Sequence, residues 1–257
     1  WYLFDEPDLP HQYVPPDQLR ALYRLIHTLD PKHPVIVTVA QSNFMPLYHD
    51  SYDVYWSMDY RTPAANAKNF EYHRSQLRPE VPLMSIVHSY DSQQKGPSLG
   101  GDVEKFQPGP VQLRACAFMA LAHNSSGLAW WWWGQGSDLF MTVAHAPKAW
   151  AALKETVQHL RALRPVLEAQ VTPQMWVEKV GEKGEVHLWE KQLPDRTVII
   201  AVNAEQADCD LTFTPRTVPA GATLKTICEP ARELKLTGGQ LRDHFAPWAV
   251  HVYEYRR

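Results

Sequence analysis

The protein has 257 residues, of which 45% are hydrophobic and 21% are charged, and its formal net charge at pH 7 is -3. This composition is typical of a globular protein and excludes wholesale disorder, collagen and coiled-coil arrays. The near-neutral charge gives no electrostatic reason to expect a nucleic acid or an anionic membrane as a partner. No apolar run approaches the roughly 20 residues that span a bilayer. Aromatic residues are abundant, with 10 Trp and 11 Tyr, which suits a large core or a surface that stacks on sugar rings.

The first two thirds of the chain predict strands that alternate with helices. Residues 35–40 are rich in β-branched side chains, as in a parallel strand that is covered on both faces. The other predicted strands are 1–4, 52–60, 82–88 and 127–133. One predicted helix begins at 15–17, and the others span 66–78, 110–124 and about 147–168. A strand followed by a helix, repeated about five times, indicates an α/β architecture with a parallel sheet.

From about residue 172 the pattern changes to short strands separated by turns, without a helical period. The predicted strands are 185–191, 197–203, 209–213, 223–228 and 248–255. A small antiparallel β-sandwich is the simplest structure with this pattern. We therefore expect two domains, 1–170 and 171–257.

Polar side chains follow each of the five predicted parallel strands. They are Asp5 and Glu6; Gln41 and Asn43; Asp59 and Arg61; His88, Tyr90 and Asp91; and Trp133 with Gln135. One acidic residue after a strand is usually a helix cap or a solvated turn. Active sites of α/β barrels are built at this carboxyl end of the strands, so five such groups in succession favour a site there.

Three segments resemble strands of a clan A-type glycoside hydrolase. Trp-Tyr-Leu-Phe-Asp-Glu-Pro-Asp (1–8) resembles the fourth barrel strand, whose (Asn/Asp)-Glu-Pro motif carries the catalytic acid/base. Residues 53–63 resemble strand six, and 127–135 resemble strand eight, whose terminal Trp commonly floors the subsite of the cleaved sugar. The resemblance implies a partial TIM barrel that comprises strands four to eight, followed by an all-β antiparallel sandwich domain.

The resemblance implies a glycosidase that cleaves oligo- or polysaccharides by carboxylate acid/base catalysis. Glu6 is then the general acid/base, and burial would raise its pKa so that it stays protonated. Alternatively, Asp5 and Glu6 only cap the following helix. The family pattern places a Glu at the end of strand seven, and this chain has none there. Asp59 is the candidate second carboxylate, or else it binds Arg61, and Asp91 is the next candidate.

The predicted substrate contacts are Asp5, Asn43, Tyr60, His88 and Trp133. The sequence has no glycine-rich phosphate loop and no Gly-x-Ser-x-Gly motif, and its histidines show no metal spacing. We therefore predict a carbohydrate substrate and neither a cofactor nor a metal. The alternative function is a non-catalytic carbohydrate-binding or scaffold protein that kept the barrel rim and lost the second carboxylate.

If the first strand corresponds to barrel strand four, the sheet has two open edges, and half of its core is unsupported. We expect a homo-oligomer, a missing N-terminal segment that completes the barrel, or an open sheet covered by the β domain. The compartment stays open, since any export signal would precede Trp1. Secretion or a periplasmic location is favoured over the cytoplasm.

Overall fold

The computed structural model describes residues 1–89, 109–131, 146–182 and 184–257. Five strands and four helices alternate in the first part of the chain. They are β1 (Tyr2–Asp5), α1 (Pro16–Leu29), β2 (Ile36–Thr38), β3 (Val54–Asp59), α2 (Pro63–Gln76), β4 (Leu83–His88), α3 (Pro110–Ala122), β5 (Gly127–Trp131) and α4 (Pro147–Leu167). Two 3-10 segments, Pro10–Gln12 and Ser42–Ser51, follow β1 and β2.

The five strands form one parallel sheet in the order β1-β2-β3-β4-β5. Sequential order with right-handed crossovers places successive helices on the same side of a sheet. In β3 the alternate residues Tyr55, Ser57 and Asp59 are buried. The residues between them, Trp56 and Met58, are half-buried on the opposite side, which we call the open face.

The pairing register extends the open face across three strands. Trp56 pairs with Met84 of β4, and Met84 pairs with Gly127 of β5. Four residues further on, His88 of β4 pairs with Trp131 of β5. Tyr2 of β1 also belongs to this face, because its ring lies 5.6 Å from that of Trp56. This face would line the interior if the sheet closed into a barrel.

The rest of the chain is antiparallel. Its strands are β6 (Gln174–Val180), β7 (Gly184–Gln192), β8 (Arg196–Asn203), β9 (Cys209–Phe213), β10 (Thr223–Thr226), β11 (Glu233–Lys235), β12 (Leu241–Phe245) and β13 (Val250–Arg256). They form a six-stranded sheet, β11-β10-β13-β8-β7-β6, and a two-stranded sheet, β12-β9. The predicted α/β sheet followed by an antiparallel β region is confirmed, although β6, β11 and β12 were not predicted.

Strand β8 has both faces buried in different apolar clusters. Val198, Ile200 and Val202 belong to the cluster that also contains α3 and the parallel sheet. Ile199 and Ala201 belong to a second cluster, which reaches β9 and β12. The six-stranded sheet is therefore the middle layer between the helices and the two-stranded sheet.

Polar contacts join the two parts of the chain beside this shared core. The Lys191 ammonium of β7 donates to the carbonyl oxygens of Leu167 (3.1 Å) and Ala169 (2.7 Å), at the end of α4. The Arg114 guanidinium of α3 donates to the carbonyl oxygen of Cys228 at 3.0 Å. The boundary near residue 170 stays a prediction. None of the helices in the described ranges is long and apolar enough to cross a membrane.

Candidate active site

The turn Asp5-Glu6-Pro7-Asp8 follows β1 and is fixed to the end of β2. The buried Asp8 carboxylate accepts the backbone N–H groups of Ala40 and Gln41, each at 2.8 Å. Both carboxylate oxygens are therefore occupied by backbone donors, which is a strong charge-assisted arrangement. Asp8 holds the turn in place rather than offering a free carboxylate to a substrate.

Glu6 lies at the apex of this turn with an unusual backbone conformation. Its φ is 52°, in the left-handed region that few residues other than glycine adopt. Such a conformation costs on the order of 1–3 kcal/mol and persists only where the surroundings hold it. Its N–H donates to the carbonyl oxygen of Thr38 at 3.2 Å, and its carbonyl oxygen accepts from the Gln12 amide at 3.2 Å. Among the described residues, none donates a hydrogen bond to the Glu6 carboxylate itself.

The surroundings of Glu6 favour its protonated form. Burial raises the pKa of Glu6 above its ordinary value, and the negative charges of Asp5 and Asp8 raise it further, while His11 opposes them. A carboxyl group with a raised pKa keeps a proton to donate at a pH where an ordinary glutamate has lost it. Glu6 is thus a partly buried acid at the carboxyl end of a parallel strand, and its carboxyl group has no hydrogen-bond partner in the described part of the chain.

Asp5 is oriented beside Glu6 by two hydroxyl groups. Its Oδ1 accepts from the Tyr2 hydroxyl at 2.6 Å and from the Thr38 hydroxyl at 2.7 Å. Burial and the hydrogen bond to Asp5 raise the pKa of Tyr2 well above its ordinary value, so the phenol remains a donor. Because Tyr2 lies on the open face, Asp5 is held at the rim of that face. The structure thus brings Asp5 and Glu6 together.

Asp59 lies on the other side of the sheet. Its Oδ1 accepts from Ser57 at 3.0 Å and from Asn69 of α2 at 2.8 Å, so its carboxyl group points toward the helices. The position follows from strand alternation, which gives Ser57 and Asp59 the same side. The Asp59 side chain does not face the open face, where a partner of Glu6 would lie. Its role as the second carboxylate stays a prediction that this placement does not favour.

The Asp59 carboxyl group has an unusual environment of its own. It borders a polar cavity of about 60 Å³, lined also by Ser42 and His73. Its Oδ2 is buried and has no hydrogen-bond partner among the residues that the structure describes. Burial raises the pKa of Asp59 to about 7, against the hydrogen bonds and the charge of Arg61. The expected contact with Arg61 is thus electrostatic, without a direct ion pair among the described contacts.

Of the remaining predicted site residues, the structure describes His88, Tyr60 and Asn43. His88 ends β4 and is buried, with Nδ1 3.4 Å from the carbonyl oxygen of Asp59. Tyr60 follows β3 and is half-buried, whereas Asn43 is exposed in the 3-10 segment after β2. Trp133 and Asp91 lie outside the described residues.

Two aromatic residues of the open face were not singled out as contacts by the sequence. Tyr2 orients Asp5, and Trp131 is 42% exposed at the carboxyl end of β5. The neighbouring Trp130 packs on the helix side, against the cluster formed with α4. Alternation along β5 is the available sequence signal, since it places Trp130 and Trp131 on opposite faces of the sheet.

Solved structures of glycosidases share this fold. The α-amylase of Geobacillus thermoleovorans, in complex with acarbose, superposes with a TM-score of 0.64 at 12% identity, covering 96% of this chain and 58% of that one. A maltogenic α-amylase of Thermotoga neapolitana gives 0.61 at 10% identity over 98% and 60% of the two chains. A family 30 endoxylanase of Clostridium papyrosolvens gives 0.55 at 11% identity over 100% and 65%.

These likenesses confirm the predicted fold, a partial TIM barrel followed by an antiparallel β domain. The chain spans less than two thirds of the length of each of these structures. No protein-family profile matches the sequence, and no curated protein matches it either.

Proposed function

We propose that the chain carries the acid/base half of a glycoside hydrolase site, with Glu6 as the group that protonates the leaving oxygen. The observation that carries this proposal is the Glu6 carboxyl group, which has a raised pKa and accepts no hydrogen bond from the described residues, in a turn fixed by its neighbours. Its position at the carboxyl end of β1 is where barrel enzymes build their sites. The glycosidase fold supports the same reaction class.

The substrate is a carbohydrate, bound along the rim of the open face. Asp5, Tyr60 and His88 supply polar contacts, and Asn43 and Trp133 are further candidate contacts. Trp131 adds an exposed aromatic ring in register with His88, which suits the C–H face of a sugar. Oligo- or polysaccharides of the kind named for the fold relatives, α-glucans and xylans, are the first substrates to test. Neither a cofactor nor a metal takes part in this step.

Hydrolysis also needs a second carboxylate across the sugar ring. Asp5 lies at the same end of β1 as Glu6, so its carboxylate would approach a sugar from the same side as Glu6 and not from across the ring. Asp59 points to the helices, and no other carboxylate among the described residues faces Glu6 across the sheet. This observation favours a second candidate function, a carbohydrate-binding protein without turnover.

The two edge strands of the described parallel sheet suggest how the active protein is assembled. Strands β1 and β5 are edge strands of the described sheet and are largely half-buried or exposed along their length. We propose that a second copy or a further barrel segment covers them in the active form, since open edges invite pairing. Light scattering of the purified chain tests the first of these: a monomer at all concentrations contradicts self-association.

The deciding experiment compares hydrolysis by the protein and by Glu6→Gln on a panel of aryl glycosides and soluble α-glucan and xylan. Gln keeps the size of the side chain and removes the proton that Glu6 would donate. We expect turnover to fall by about 100-fold to 10,000-fold, which is the usual contribution of a general acid. Glu80→Gln is the matched control, because Glu80 is exposed at 70% and lies after α2, away from the site.

The outcomes separate the two candidate functions. Turnover lost in Glu6→Gln and kept in Glu80→Gln supports the hydrolase. Turnover equal in all three proteins contradicts the role of Glu6. Oligosaccharide binding measured by calorimetry without turnover in any of them supports the binding protein.

A further inference from the structure

A second cluster of ligand-type side chains lies where the helices meet the six-stranded sheet. It comprises Glu71 of α2, His123 directly after α3, and His187 of β7. One carboxylate oxygen of Glu71 and one ring nitrogen of each histidine all lie within 4.8 Å of one another. The two histidines are in direct contact, with His123 Nε2 3.1 Å from His187 Nδ1.

The cluster is open on one side and supported on the other. Glu71, His123 and His187 line a groove of about 330 Å³, together with Arg74, Met175 and Trp176. His187 is only 2% exposed, and its second nitrogen, Nε2, lies 3.5 Å from the carboxylate of Glu185. A carboxylate behind a ligating histidine is the usual way in which proteins orient such a ring.

We propose that Glu71, His123 and His187 bind a transition metal ion of the Zn²⁺ type, with the groove leaving a fourth position for water or another ligand. Two imidazoles and one carboxylate are a ligand set that Zn²⁺ accepts. Bonds of 2.0–2.1 Å in tetrahedral geometry set neighbouring ligand atoms roughly 3.3 Å apart, close to the observed separation of the two ring nitrogens. Ca²⁺ and Mg²⁺ do not fit, since they prefer oxygen ligands throughout.

The surrounding charges are compatible with a cation. The Arg74 guanidinium is turned to the backbone, where it donates to the carbonyl oxygens of Asn124 (2.7 Å) and Val81 (3.4 Å). Lys179 is paired with Glu185.

The three ligands come from two parts of the fold. Glu71 and His123 belong to the helices of the parallel sheet, and His187 belongs to the antiparallel sheet. A bound ion would therefore link the two parts and bind only the folded chain. At a free metal concentration 100-fold above its Kd, it should raise the melting temperature by about 5 °C or more.

The test is titration of chelator-treated protein with Co²⁺, followed by displacement with Zn²⁺. We expect one equivalent of Co²⁺ with the intense visible bands of tetrahedral coordination, and a rise in melting temperature with Zn²⁺. Glu71→Gln and His123→Gln should each abolish the bands. His187 is deeply buried, so its substitution risks the fold and is not needed.

Matched surface variants complete the design. Glu80→Gln and His33→Gln remove the same groups at exposed positions, 70% exposed in both cases, and should keep the bands and the thermal shift. The proposal is overturned if no Co²⁺ binds stoichiometrically, if the bands are those of octahedral coordination, or if Glu71→Gln and His123→Gln bind as the unaltered protein does. In each of those cases the two histidines only hydrogen-bond α3 to β7.

Discussion

Glu6 is held by the neighbouring strand: its backbone N–H donates to the carbonyl oxygen of Thr38, the last residue of β2. The same Thr38 donates its hydroxyl to Asp5, so one buried residue holds both the Asp5 carboxylate and the backbone of Glu6. The direction of the proposed acid is consequently set by the pairing of β1 with β2, which makes it a property of the sheet. This is the kind of rigid support that acid catalysis requires.

The charges around Glu6 predict opposite shifts of the pH profile in two variants. If Glu6 acts as the acid, kcat/KM falls as the pH rises through its pKa, which lies above the ordinary 4.5. Asp5→Asn removes a negative charge that raises this pKa, so the alkaline limb should move to lower pH. His11→Gln removes a group that lowers it when protonated, so the limb should move to higher pH. Equal profiles in the two variants would contradict the assignment.

The raised pKa of Asp59 should make the stability of the protein depend on pH. Its pKa is about 7 in the folded protein and 3.8 ordinarily, so between these values the folded state holds a proton that the unfolded state has lost. Stability should then decrease as the pH rises from about 4 to about 7, by up to about 1.4 kcal/mol per pH unit. Asp59→Asn should remove this decrease, as measured by urea unfolding at several pH values.

The same variant tests the catalytic prediction for Asp59. If the Asp59 carboxyl group is structural and lies on the helix side, Asp59→Asn should keep most of the turnover measured for the unaltered protein. A loss as large as that in Glu6→Gln, with normal stability at pH 5, would instead make Asp59 the second carboxylate and refute our interpretation of its placement.

Removal of the Asp8 carboxylate should lower the stability of the protein and disturb the turn that contains Glu6. Asp8→Ala leaves the N–H groups of Ala40 and Gln41 without their acceptor in a partly buried position. We expect a decrease of about 1–3 kcal/mol in the free energy of unfolding, measured with denaturant. Asp17→Ala is the control: Asp17 is exposed in the first turn of α1, and its removal should cost well under that amount. Equal effects of the two substitutions would show that Asp8 does not hold the turn.

Removal of the Trp131 ring should lower the affinity of the protein for carbohydrate. Trp131→Ala removes an exposed ring at the rim of the open face, and we expect the Kd for maltotriose or xylotriose to rise about 10-fold, or ~1.4 kcal/mol. Trp1→Ala is the matched control, because Trp1 is 58% exposed at the opposite end of the strands. Calorimetry that gives the same Kd for both variants would exclude Trp131 from the binding surface.

The sequence predicted the elements of the parallel sheet well, since each strand and helix has its own local pattern. It also singled out Glu6, because the motif that marks it is contiguous. The sequence did not show on which side of the sheet Asp59 lies. Alternation groups Tyr55, Ser57 and Asp59 on one face of β3 and the apolar Val54, Trp56 and Met58 on the other, without showing which face meets the helices. Only packing against α2 decides which face meets the helices.

Clusters assembled from distant segments leave no local pattern. His123 and His187 are separated by 64 residues and meet only because α3 packs on β7. The strands that were missed are short or lie at the edge of a sheet. β11 has three residues, and β6 is an edge strand with mostly exposed side chains.

Both faces of β8 are buried in apolar clusters, so this strand holds the two parts of the chain together by packing as well as by the backbone. A protease that cuts the linker between α4 and β6 would sever the backbone, yet each fragment would keep an apolar surface shaped for the other. The nicked protein should therefore elute as one particle and melt in one transition. A recombinant piece that ends near residue 170 should be recovered mainly as an aggregate, and co-expression with the remaining strands should rescue it.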